Sequence, residues 1–345
     1  MAAPDTVSHI VLLLPGLDGP DSEYPIADYF EQRPLVLDRL LSRSKSVPVD
    51  GYDCEAVLMD YFGLDVSQAA APLTFLADTG RAPSGYVMRA DPVHLRADQS
   101  CLRLFEPHSF SITQDEANAL ADAFNAFYID QGWQLLTTHP ERWYLELPDS
   151  VEMTTTSPLK VAGSDINPHL PLGKDARSWH AVMNEVQMLF HTHEVNLVRE
   201  QKGQPTVNSL WFWGGGTMPV AGQSKVDQAF SDMPLAQGLV EIAGLSRQGV
   251  PEDVSQFLRD VPAGVTLLIL DKLMWPAQYD DINEWSRALQ RLDKELFAPL
   301  LLALNDRTIA SLTLVPCNGA GFYCSRKGQH AFWRRIRNFE QVMRQ

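Results

Sequence analysis

The sequence has few cysteines, and their spacing is uninformative: four in 345 residues, none in a C-x-x-C pair. That excludes a disulfide framework, so Cys54, Cys101, Cys317 and Cys324 read as reduced thiols in a cytoplasmic protein. Long apolar runs are missing as well. The longest early one, residues 10–14, stops at Pro15-Gly16, far short of a membrane span or a signal-peptide core, so no membrane partner is expected. Basic charge is in deficit. With 28 Lys and Arg against 43 Asp and Glu, the net charge of −15 repels a polyphosphate backbone unless the basic residues cluster. No cluster stands out on this reading, and nucleic acid is excluded as a partner. What is present is ordinary globular composition, 45% hydrophobic and 21% charged, at a length that allows two domains and a sizeable core.

Residues 9–14 form an aliphatic run of strand length closed by Pro15-Gly16, the pattern of a strand buried on both faces of an α/β sheet. Helical spacing follows at 35–41 and 54–62. From about 73 to 147 the order becomes strand, strand, long helix at 112–131 with Ser111 or Thr113 as N-cap, strand, strand, which reads as a compact α+β unit. The polar cluster at 89–95, with Asp91-Pro92 and His94, reads either as part of a lid or as a plain turn. After Pro158 the α/β pattern returns with a helix at 175–201, a strand at 207–213 entering Gly214-Gly215-Gly216, a helix at 235–245, a strand at 265–270, a helix at 280–303 and a strand at 309–315. The expected architecture is α/β, a mostly parallel sheet flanked by helices. Its core would be residues 1–70 and 160–345, interrupted by a small inserted α+β domain at 71–159.

The segment 163–219 is the most specific. It carries Asp165-Ile166-Asn167-Pro168-His169, then His193-Glu194-Val195-Asn196 with Arg199, then Gly203, Pro205, Asn208 and Trp213-Gly214-Gly215-Gly216. This order and spacing resemble the archaeal-type cofactor-independent phosphoglycerate mutases of the alkaline-phosphatase superfamily, which carry D-x-D-P-H, H-P-V-N-x-x-R, P-A-N and a W-G-x-G or R-G-x-G sequence in the same order. The chain also looks like a proteobacterial group described as regulators of pathogenicity-factor production. The resemblance implies an alkaline-phosphatase-like core and a small phosphorylated or carboxylated metabolite as ligand.

The residue chemistry gives the same set a reason of its own. An anion asks for a guanidinium fork such as Arg199, amides such as Asn196 and Asn208, imidazoles, and the backbone N–H groups that glycines expose. The expected ligand-binding set is therefore Asp165, Asn167, His169, His193, Asn196, Arg199, Asn208, Gly214 and Gly216. The competing reading leaves the glycines in a tight strand-to-helix turn and pairs Arg199 with a neighbouring carboxylate.

The resemblance also implies two divalent metals and a Ser or Thr nucleophile. Here the first strand ends in Pro15-Gly16 where the family has Asp-Gly, and the nucleophile context reads Gly51-Tyr52-Asp53-Cys54. Met274 and Gln278 fall on the D-E-x-G-H positions, and Pro316-Cys317 replaces the Asp-His pair. The expectation is loss of the metal centre with no cofactor. Asp53 and Cys54 remain as nucleophile candidates, and Asp18, Asp271 and His330 as candidate ligands. Two alternatives stand: an active mutase or phosphatase using those displaced ligands with Mn or Zn, and an interaction module that binds no small ligand.

Overall fold

The aliphatic run at the start becomes β1 (Ser8–Leu13), which is flanked on both sides by parallel neighbours and therefore takes aliphatic residues on both faces. The structure is a computed structural model that describes residues 7–20, 29–65, 69–98 and 101–343. Next come α1 (Leu35–Ser42), β2 (Lys45–Pro48) and α2 (Cys54–Tyr61). The chain then runs through α3 (Ala70–Thr79), β3 (Tyr86–Asp98), β4 (Cys101–Phe105), α4 (Gln114–Phe127), β5 (Gln134–His139), β6 (Arg142–Leu147), β7 (Met153–Thr154), β8 (Leu172–Gly173), α5 (Ala176–His191), α6 (Glu194–Gln201) and β9 (Ser209–Gly216). It closes with β10 (Gln228–Phe230), α7 (Pro234–Ile242), α8 (Val254–Arg259), β11 (Gly264–Ile269), α9 (Met274–Gln278), α10 (Ile282–Leu292), α11 (Ala298–Asp306), β12 (Ser311–Val315), β13 (Ala320–Ser325), α12 (Arg326–Gln329) and α13 (Phe339–Met343).

These elements form two units, Met1–Val66 with Ala221–Gln345, and Ser67–Val220. Residues 160–220 thus belong to the second unit and not to the expected core, because β9 pairs antiparallel with β3 (Pro92 opposite Leu210). The two sequence patterns, α/β and α+β, are both present, with the boundary displaced.

In the first unit the strand order is β10-β11-β1-β12-β13-β2. Five of the six strands run in one direction and β13 alone is reversed, pairing antiparallel with both β12 and β2, in agreement with the expected mostly parallel sheet. Leu12, Leu268, Leu314, Trp285 and Phe297 are buried between sheet and helices. The helix expected at 280–303 is interrupted by a π turn at Asp293–Phe297. That turn has a structural role. The buried Asp293 carboxylate accepts the backbone N–H groups of Leu37 (2.8 Å) and Val36 (3.2 Å), so it caps α1 from a distance where Pro34 makes no side-chain cap.

In the second unit β3 is the axis, paired along its length with β6, β9 and β4. Asp91-Pro92 is therefore neither a turn nor a lid but the middle of a strand. The expected helix 175–201 breaks at Thr192, and His193 becomes the N-cap of α6, so His191 and His193 sit on different helices.

Asp78, following α3's apolar face, ties this unit together. Its carboxylate accepts from Arg142 Nε and Nη2 (both 2.8 Å) and from the Tyr144 hydroxyl (2.7 Å). Burial would raise the Asp78 carboxyl, but these bonds outweigh it and hold the group below its usual range. Its contribution to stability is complete above the unfolded carboxylate pKa of about 3.9 and is lost as pH falls through the lower folded value. The urea midpoint of Asp78→Asn should therefore fall less than that of the wild type on acidification from about pH 6 to pH 3; parallel falls would refute this linkage.

Candidate functional site

In the first unit the carboxyl ends of β1, β11 and β12 stop level with one another. Leu14 N–H donates to Val315 O (2.9 Å) and Leu270 N–H to Leu13 O (3.0 Å). Beyond these ends stand Pro15, Asp271 and Pro316-Cys317. A side chain at Gly16 would run into Leu273 O at 2.6 Å and its φ is +82°, so only glycine lets the strand end approach the segment leading into α9. Met274 and Gln278 occupy the two ends of that short helix.

The helix α2 starts at the same end of the sheet. Pro48 at the end of β2 lies opposite Ala320, Val49 N–H donates to Gly319 O (3.2 Å), and Gly319 packs against the Tyr52 ring. Asp53 is the N-cap, its Oδ1 accepting from Ala56 N–H at 2.8 Å, so its carboxylate has a structural partner. Cys54 is the first helical residue, buried beside the buried thiol of Cys317. That neighbouring thiol, burial, and the negative charges of Glu55 and Asp53 push the Cys54 thiol well above its ordinary value. Nearby, burial and Asp60 push the Tyr61 phenol up to about 12. Sequence reasoning missed Cys317 as the neighbour of Cys54, since only the β12–β13 connection brings two residues so far apart in sequence together. Cys317 adopts φ +71°, a conformation unusual for a residue with a side chain.

The other weak candidates do not join this cluster in the expected way. Asp18 is exposed. His330 is exposed too, and it follows β13, which runs back until Ser325 pairs with Ser311 at the start of β12. It therefore stands toward the opposite end of the sheet from Pro15, Asp271 and Pro316, and cannot replace the last ligand there. Among the described residues no group of three or more His, Cys, Asp or Glu is placed to hold a metal ion. Among the described residues the donors named at the strand ends are the carboxylates of Asp271 and of Asp53, which already caps α2, two thiols, a thioether and an amide. That does not fit a hard two-metal centre.

The expected ligand-binding residues all lie in the second unit, where several of them hold the backbone. Arg199 is 2% exposed. Its Nε donates to Pro205 O (2.7 Å), Nη2 to Ser111 O (2.8 Å) and Nη1 to both carboxylate oxygens of Glu116 (3.0 and 3.1 Å). Glu116 also closes a capping box with Thr113 at the start of α4. Burial would raise the Glu116 carboxyl, yet the Thr113 N–H and the Arg199 charge outweigh it and lower it. Asn196 donates to Phe190 O and Val207 O (both 2.8 Å) and accepts from Val207 N–H (2.9 Å). Asn208 exchanges bonds with the backbone of Leu95, accepting its N–H at 2.7 Å and donating to its carbonyl at 2.9 Å.

The remaining members have local roles. His193 Nδ1 accepts from Val195 N–H, and Asp165 Oδ1 accepts from the Asn167 backbone and side-chain amides. His169 ends the 3-10 turn Asn167–His169 and is half-buried. Gly214 to Gly216 lie in β9 rather than in a turn. Gly214 has φ +62° and donates its N–H to Thr155 Oγ1, while a side chain at Gly216 would meet Ala69 Cβ at 2.4 Å, so these glycines let the start of α3 approach the strand. The motif that carries the resemblance thus binds the 202–208 loop to α5, α6, β3 and the start of α4.

A further feature went unrecognised as a cluster. Arg334, Arg335 and Arg337 follow the exposed Phe332 and Trp333 in an otherwise acidic chain.

No family model matches the chain. It is similar to the 2,3-bisphosphoglycerate-independent phosphoglycerate mutase of Methanosarcina acetivorans, 25% identical over 224 residues, which are 57% of this chain and 53% of that protein. It is also similar to 2,3-bisphosphoglycerate-independent phosphoglycerate mutase 2 of Methanothermobacter thermautotrophicus, 24% identical over 346 residues, covering 87% and 81% of the two chains. The chain spans about half the length of the Methanosarcina relative that it matches. Among solved structures it shares the fold of the PH0037 protein from Pyrococcus horikoshii, with a TM-score of 0.53, 14% identity, and 94% and 88% of the two chains covered.

Proposed function

We propose that the chain is a divergent relative of the cofactor-independent phosphoglycerate mutases that no longer transfers phosphoryl groups and acts in a regulatory, ligand-responsive role. The single observation that carries this reading is the composition of the strand ends. Pro15 and Pro316 offer no side-chain donor there, and Cys54, its thiol pushed well above the ordinary value, lies beside the buried Cys317 where such chemistry needs an activated oxygen nucleophile beside hard ligands. A thiol whose proton is held this firmly is a poor nucleophile at neutral pH. The reading does not seat an anion on Arg199, Asn196 or Asn208, because their polar atoms already hold backbone groups and Glu116.

The test is an activity assay on the full chain after incubation with Mn2+ or Zn2+, using 3-phosphoglycerate for mutase turnover and p-nitrophenyl phosphate for hydrolysis. We expect no turnover above buffer, and no change on substituting Cys54→Ser or Asp271→Ala. Metal-dependent turnover that disappears with either substitution would overturn the proposal and reinstate an active enzyme with displaced ligands.

A further inference from the structure

The chain's 28 basic residues are unevenly placed: six fall in the last twenty positions, together with only one acidic residue, Glu340. Three of the six, Arg334, Arg335 and Arg337, line a cavity of about 530 Å³ beside β2 and β13 in the first unit. Its volume lies in the range of small-molecule sites, roughly 300 to 1,000 Å³.

The walls divide into two kinds. On the polar side, Ser42, Ser44 and Ser46 accompany the guanidinium groups, and among the described residues no acidic side chain lines the cavity. The frame is fixed: Ser42 Oγ accepts from Arg337 N–H at 2.8 Å, and Arg334 Nη1 donates to Ser44 O at 3.0 Å. Arg335 has neither a hydrogen bond nor an ion pair to another described residue, so its fork is open to a ligand. On the apolar side stand Leu41, Phe322, Val342 and Met343. Trp333 and Phe332, next to Arg334 in the chain, are 73% and 82% exposed and meet edge to face with centroids 5.3 Å apart. Neither ring is among the residues lining the cavity, but both directly precede Arg334 in the chain, and an exposed aromatic face next to such a site is what a flat base stacks on.

We propose that this cavity binds a phosphomonoester carrying a flat apolar group, the chemistry of a nucleoside 5′-monophosphate, with the phosphate against Arg335 and Ser46 and the base toward Trp333. A phosphate dianion matches the guanidinium fork in bidentate geometry, and the Ser46 hydroxyl can donate to a remaining oxygen, while those of Ser42 and Ser44 already donate to Arg337 O and Leu41 O. A cavity of this size takes one nucleotide, while the net charge of −15 opposes the approach of a long polyanion. The site is independent of the strand-end cluster, so it stands or falls apart from the loss of phosphoryl transfer.

The test is equilibrium binding to the full chain, followed by calorimetry and by tryptophan fluorescence, with AMP, adenosine, inorganic phosphate and a single-stranded dT oligomer as probes. AMP should bind saturably, phosphate should compete with it, and adenosine should bind about tenfold more weakly or less. Arg335→Ala should weaken AMP about tenfold without moving the melting temperature of the unliganded protein, since Arg335 holds no structural partner. Trp333→Ala should weaken AMP and leave phosphate unchanged. The proposal is overturned if AMP does not bind, if adenosine binds as tightly as AMP, or if Arg335→Ala binds AMP like the wild type. It is equally overturned if only the oligomer binds, which would mark a strand-binding surface instead.

Discussion

Asn196→Ala should destabilise the second unit by about 3 kcal/mol, the effect of leaving one N–H and two carbonyls buried without partners. Asn196 is 1% exposed, and its amide holds Val207 through both N–H and C=O while also capturing Phe190 O at the end of α5. Phe190 and Val207 are fully buried, so water has no easy access to replace the lost bonds. Asn196→Asp keeps the acceptor for Val207 N–H but loses both donations, and places a charge in a dry site, so it should be no milder. Five of the eight tryptophans, Trp133, Trp143, Trp179, Trp211 and Trp213, belong to this unit, which makes tryptophan fluorescence in urea the natural probe. A loss below about 0.5 kcal/mol, the size of an ordinary surface substitution, would show that Asn196 is not the clamp described and would return it to the ligand-binding set.

This clamp shows what the sequence could and could not tell. β1, α1 and α2 were legible because each carries its own signal in adjacent residues, an aliphatic run for the strand and helical spacing at 35–41 and 54–62, whereas the role of Asp53 as the cap of α2 was not read. The start of α4 was equally local, since Thr113 and Glu116 are three apart. The membership of β9 was not legible, because pairing with β3 is decided by register across a long stretch of intervening chain. β2 is exposed, short and ends in proline, and exists as a strand only by pairing with β13. For the site, Arg199 was expected to bind a ligand, but a guanidinium fork reads the same in sequence whether it faces a ligand or a protein acceptor. Its partners Glu116 and Ser111 lie 83 and 88 residues away, and only the fold reveals them. The pairing of Cys54 with Cys317 was hidden for the same reason. The arginine cluster was different, for Arg334, Arg335 and Arg337 stand together in the sequence and were overlooked under a net charge of −15 that describes the whole chain and not its end.

The largest single loss should come from Asp91→Ala, about 4 kcal/mol, since breaking a buried ion pair strands the remaining charge. Arg89 and Asp91 are both buried, with side chains 7% and 4% exposed. Arg89 donates to Asp91 Oδ1 through Nε (2.9 Å) and Nη2 (2.6 Å), and Asp91 Oδ2 accepts from Trp213 Nε1 at 2.7 Å. The guanidinium also lies over the Tyr144 and Trp213 rings, 5.2 and 5.3 Å from their centroids. Burial would favour loss of the Arg89 proton, but Asp91 outweighs it and raises the guanidinium pKa further. Removing the carboxylate therefore leaves a charge that cannot be discharged at neutral pH, inside the sheet where β3, β6 and β9 meet. The double substitution Arg89→Met with Asp91→Leu removes both charges and keeps most of the volume, leaving Trp213 Nε1 and the Trp143 N–H without their Asp91 acceptor. It should recover well over half of the single variant's loss in urea unfolding. If the single variant costs no more than the double one, the pair is hydrated in solution, and the middle of β3 owes its stability to packing and backbone pairing alone.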